Sequence, residues 1–123
     1  MLDHLPIELG YKVTDKKRYS CATLPPDAVK YKLKAWTKPN RGCGPLALFT
    51  KRQDAIAYIK AEEQVAPKNS FILYRCFYVP SDIKCLHTKI DFKSKNYYES
   101  PKRFLSKGTE FAMAIYLYRR CHI

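Results

Sequence analysis

Two stretches of the chain interleave cations with aromatic rings. The first holds Lys32, Lys34, Trp36, Lys38 and Arg41, and the second Lys93, Lys95, Tyr97, Tyr98, Lys102 and Arg103. Single-stranded nucleic acid is held by this chemistry, with cations following the phosphates and rings stacking under the bases. Trp36 also has a plainer role open to it. As the sole Trp it can anchor a core, its indole N–H on a carbonyl. Lys51 and Arg52 add a third cationic point in the first turn of an expected helix. The macrodipole penalises cations there unless an anion also binds; the alternative is two long side chains extended into solvent.

Other reactive residues carry weaker patterns. Cys85, His87, Cys121 and His122 are metal-ligating types, but their spacings match no finger or ribbon. Cysteine–histidine catalysis needs a base in hydrogen-bond reach and an orienting group, and the sequence places neither. Gly42-Cys43-Gly44-Pro45 is a poor phosphate cradle, because Pro45 removes an N–H and a strand intervenes before the helix. A tight turn explains those glycines better. We therefore expect no catalytic residues, no metal site and no cofactor.

Composition sets the frame for these residues. A chain of 123 residues, 46% hydrophobic and 28% charged, is globular and long enough for one domain with its own core. Its formal charge of +12 attracts polyanions and speeds their encounter, so nucleic acid is the expected partner. No apolar run approaches the roughly 18 residues of a membrane span, so no membrane partner is expected. Asp3 and the lack of a basic leading segment argue against a signal peptide. An intracellular protein is expected. Five cysteines, odd in number and without a CxxC pair, point to free thiols.

The elements that position these residues are legible in part. Tyr31 to Trp36 alternates with a period of two, as a half-buried strand does. Pro39 to Pro45 must turn, and Leu46 to Phe49 is long enough only for a buried strand. Thr50 and Gln53 have capping-box spacing ahead of a helix over about 50–63, with Ala55, Ile56 and Ile59 on its apolar face. Pro67 is expected to stop it. Tyr11 to Val13 and Tyr19 to Leu24 read as a hairpin around a turn at Thr14 to Arg18. Phe71 to Val79 reads as a central strand covered on both faces. Leu86 to Phe92 suggests a short strand or edge, Asn96 to Pro101 an exposed loop, and Phe111 to Tyr118 a last strand in preference to the helix that its Ala, Met and Leu also allow.

The middle half of the chain resembles a group of small uncharacterised proteins from phages and other microbial viruses. The likeness rests on Tyr31, Trp36, Pro39, Gly42, Gly44-Pro45-Leu46, Phe49 and Asp54-Ala55, followed by Tyr74-x-Cys76-x-Tyr78-x-Pro80-Ser81. It implies a compact α+β domain and brings no functional residues. Phe49-Thr50 followed by Ala55 to Tyr58 also resembles the strand-to-helix step of ADP-ribosyltransferases. No early His or Arg site accompanies that step, and Glu110 is the only candidate for a catalytic glutamate.

The combined expectation is a single α+β domain, a mainly antiparallel sheet with one principal helix packed on one face. Its expected role is a basic, non-enzymatic binding module, viral or mobile-element in type, that contacts nucleic acid. The alternatives are a protein-interaction module that inhibits a host factor and a divergent ADP-ribosyltransferase-like enzyme.

Overall fold

A computed structural model describes residues 5–20, 29–40, 44–83, 85–91, 96–101 and 105–123, with backbone alone for 85–91 and 96–101. It contains strands β1 (Glu8–Asp15), β2 (Trp36–Thr37), β3 (Leu46–Phe49), β4 (Phe71–Pro80), β5 (Cys85–Asp91), β6 (Asn96–Pro101) and β7 (Thr109–Cys121). One helix, α1 (Arg52–Glu62), follows β3. This is the α+β architecture expected, an antiparallel sheet with a single helix on it.

The sheet closes on itself. β1 pairs with β4 along its whole length, from Glu8↔Tyr78 to Asp15↔Phe71, and touches β3 at Tyr11↔Phe49. β7 pairs with β3 from Leu46↔Ala112 to Phe49↔Thr109, and with β4 from Pro80↔Ala112 to Leu73↔Cys121. The four strands β1–β4–β7–β3 thus form a ring, and β2 adds to the outer run of β7 at Trp36↔Tyr116. β4 is central, as its apolar sequence implies. The long β7 bends to serve both sides, with register shifts opposite Arg75/Cys76 and Val79/Pro80 that absorb the curvature.

Period-two alternation sorts side chains between the two surfaces of this ring. Leu46, Leu48, Tyr74, Cys76, Tyr78, Ile115 and Leu117 are buried together inside it, with Tyr31 closing the cluster. Gly10 lies on this inner surface opposite Cys76. A Cβ there would sit 2.5 Å from Leu48 Cδ1 and 3.0 Å from the Phe49 carbonyl oxygen, so any larger residue would force Leu48 or the β1–β3 spacing to shift. Lys12 also points inward, its Nζ donating to the Ala47 carbonyl and lying 5.1 Å from the Tyr31 ring centroid. On the outer surface, Ala55 and Ile59 of α1 pack on Val13, Phe49 and Leu73, with Ile56 and Tyr58 half-buried at the margin.

Several local expectations are corrected. The helix starts at Arg52 after an N-cap at Lys51 that makes no side-chain capping bond, so the Thr50–Gln53 capping box does not form. It ends at Glu62, well before Pro67, in turns where Val65 and Ala66 donate to the Glu62 carbonyl. Tyr31 to Trp36 is not a continuous strand. Lys34 takes a left-handed φ of 59° and donates to the Leu117 carbonyl, so Leu33 makes only an isolated parallel bridge and strand pairing begins at Trp36. Tyr19 and Ser20 form bridges to Lys30 and Thr14, and the rest of the proposed second strand lies outside the described residues. Asn96 to Pro101 is a strand paired with β5 rather than a loop, consistent with the β-preference of adjacent tyrosines. Among the described residues, no helix is long and apolar enough to cross a membrane.

Candidate nucleic-acid interface

The outer surface of the ring divides along β4. At one end Leu73 is fully buried under α1. At the other, Phe77 is uncovered by the helix and sits in a row of rings. Trp36, Tyr116 and Phe77 are register neighbours across β2, β7 and β4. Their ring centroids are 5.5 Å apart for Trp36–Tyr116 and 6.2 Å for Tyr116–Phe77. Tyr118, one step further along β7 toward the helix, stacks on Phe77 at 4.9 Å and 28°. All four rings are half-buried, so the row keeps part of its π surface in solvent. Leu9, across the ladder from Phe77, extends it with an exposed apolar side chain.

Between this row and the helix lies Arg75. It is flanked in register by Tyr11 on β1 and Arg119 on β7. Its guanidinium lies 5.4 Å from the Tyr11 ring centroid and donates to the Tyr11 hydroxyl at 3.2 Å. Its Nε is out of solvent and has no acceptor, so its charge is only partly hydrated. Arg119 directly opposite is a like charge, an arrangement that destabilises a strand pair. Arg52 at the start of α1 and Arg120 complete a pocket of about 390 Å³, lined also by Cys121 and His122. Arg52 is fixed across it by a 2.6 Å bond to the His122 carbonyl. Among the described residues, no aspartate or glutamate lines this pocket. The lining arginines and the Tyr11 phenol make a surface suited to an anion.

The sequence-derived residues fall on this map unevenly. Trp36 belongs to the aromatic row, half-exposed against Tyr116 rather than sunk in the core. Lys34 and Lys38 are exposed on either side of it. Arg52 lines the arginine pocket, while Lys51 is exposed as the helix N-cap. Arg41, Lys93, Lys95, Lys102 and Arg103 lie outside the described residues, as do the side chains of Tyr97 and Tyr98. Arg75, Phe77, Tyr116, Tyr118, Arg119 and Arg120 were not anticipated. Arg75 carried a usable signal, being the lone charge inside an otherwise apolar strand, and Tyr116-x-Tyr118 had the spacing of one strand face.

Other candidates resolve more simply. Cys76 is a buried free thiol and Cys121 a half-buried one. Burial pushes the Cys76 thiol up to about 12, the behaviour of an inert core cysteine. Glu110 is half-buried, and its Oε1 accepts from the Phe111 backbone N–H at 3.0 Å. No protein-family model, no curated protein and no solved structure matches the chain, so none of these comparisons identifies it as phage-like or ADP-ribosyltransferase-like.

Proposed function

We propose that this protein binds single-stranded nucleic acid across the outer face of β4 and β7. The observation that carries this reading is the row Trp36–Tyr116–Phe77–Tyr118 running into a pocket of arginines. Bases stack on half-exposed rings, and phosphates pair with Arg75 and Arg119, while Lys34 and Lys38 extend the cationic margin beyond Trp36. The net charge of +12 supplies the long-range attraction. Stacking and phosphate pairing ask for no particular base, so the expected binding is tolerant of sequence.

Titrating a short single-stranded oligonucleotide tests this directly, because Trp36 is the sole Trp and its fluorescence reports on the row. With about five phosphate contacts, log K should fall against log salt with a slope of roughly −3.5. Arg119→Gln should reduce that slope by about 0.7. Phe77→Ala should cost about 1–3 kcal/mol of binding with the slope unchanged. A protein that binds neither DNA nor RNA at about 50 mM salt, where attraction is strong, refutes the proposal. A partner retained from lysate after nuclease treatment, and released by the Phe77 and Arg119 variants, would instead favour the protein-interaction reading.

A further inference from the structure

The aromatic row does not continue past the arginine pocket. Outward positions on β4 alternate Phe77, Arg75, Leu73, and the last is fully buried beneath Ala55 and Ile59. Helix α1 therefore stands across the path of any chain laid over Phe77 and Tyr118 toward Arg75. The bond from Arg52 to the His122 carbonyl closes the same side. A strand that enters the pocket from the rings must end there or turn away from the surface.

The charge in the pocket exceeds what a strand interior offers. An internal phosphodiester carries one negative charge, whereas a terminal phosphomonoester carries about 1.5 to 2 at neutral pH and three strong acceptor oxygens. Four arginines line the pocket, Arg75 and Arg119 from the same face of the sheet, and among the described residues no acidic one joins them. Arg75 and Arg119 face each other as like charges, and the Arg75 Nε lies out of solvent without a partner. An ordinary surface position would scatter these charges into water. Here Arg75 is held on Tyr11 by its hydrogen bond, with Arg119 next to it in register, which favours a ligand of high charge density.

We infer that the pocket formed by Tyr11, Arg52, Arg75, Arg119 and Arg120 receives the terminal phosphate of a nucleic-acid strand, so that the protein recognises phosphorylated ends. This rests on the nucleic-acid reading above and adds to it a preference for a chemical end. The bases next to that end lie on Tyr118 and Phe77, and the more distant ones on Tyr116 and Trp36.

The test compares fluorescently labelled oligonucleotides of one sequence bearing a 5′-phosphate, a 3′-phosphate or hydroxyls at both ends, each bound to the full chain. One phosphorylated form should bind about tenfold tighter or more than the hydroxyl form, the scale of added charge-assisted hydrogen bonds. Inorganic phosphate should compete away that advantage, bringing the phosphorylated form down to the affinity of the hydroxyl-ended one. Arg75→Met, which keeps the length of the side chain and removes an unpaired buried donor, should fold normally and abolish the discrimination. Arg119→Gln provides a second variant that leaves the β4 interior untouched. Equal binding of all three oligonucleotides overturns the inference while the nucleic-acid reading stands. Binding of none of them overturns both.

Discussion

Replacing Gly10 with alanine tests the closure of the ring at its narrowest point. The added methyl would point inside, 2.5 Å from Leu48 Cδ1, 3.0 Å from the Phe49 carbonyl oxygen and 3.1 Å from Tyr78 Cε1. Leu48 is 1% exposed and Tyr78 3%, so neither has solvent to swing into, and the carbonyl belongs to the β3 backbone. Relief must come from moving β1 away from β3, where Tyr11↔Phe49 is the register pair. Overpacking of this kind costs about 1–3 kcal/mol. Alanine also restricts the unfolded chain, which returns about 0.4–1 kcal/mol. The net expectation is a loss of about 1–2 kcal/mol, a drop of roughly 1 M in the urea midpoint for a small domain. Leu48→Ala should be destabilising by itself, yet in the double variant the two losses should sum to less than their parts by at least about 0.5 kcal/mol, because the clash has lost its partner. A Gly10→Ala protein as stable as the parent would refute the close approach of β1 to β3 at this position.

Two further perturbations probe the helix and the core. Ile59→Ala, at a side chain 1% exposed between α1 and the sheet, should cost about 2–5 kcal/mol in urea unfolding, and a loss under about 0.5 kcal/mol would mean that the helix does not bury this face. Alkaline pH should destabilise the fold through Cys76, raised from 9.0 to about 12 by burial, and Tyr78, raised by burial and by the neighbouring Glu8 carboxylate. Both are held neutral in the fold, while the unfolded chain gives up these protons at lower pH. Their stabilisation is complete below about pH 9 and falls as pH rises toward 12, by about 1.4 kcal/mol per pH unit for each proton released on unfolding. Cys76→Ala should flatten the first part of that decline. A stability profile unchanged by the substitution between pH 9 and 10 would contradict the buried thiol.

The helix and the central strand were legible because their signals are local. Ala55 and Ile59 fall on one face at helical spacing, and FILYRCFYV is dense in β-formers with an inward set of Tyr74, Cys76 and Tyr78. The Tyr31–Trp36 stretch misled because its alternation is real, but the left-handed turn at Lys34 redirects the chain. What fixes that segment is the edge of β7, far away in sequence. The candidate surface was half visible for the same reason. Lys34, Trp36 and Lys38 are neighbours in sequence, whereas Arg75 and Arg119 meet only once β4 and β7 have paired. A capping box at Thr50 satisfied a sequence rule, but the helix enters one residue later, directly from extended backbone at Lys51.

The ring has a consequence for how the protein must be made. Its seam is closed by β7, which supplies partners to β2, β3 and β4, and none of those pairings can form until residues 109–121 have left the ribosome. Through that interval β4 presents one full edge of unpaired backbone and an inner face of Tyr74, Cys76 and Tyr78 with no cover from Ile115 or Leu117. Such an edge is a template for pairing with another chain, and long-range strand closure is slow compared with local structure. The nascent protein thus passes through a stage more adhesive than its folded form, and its yield will depend on how quickly the final strand finds β4.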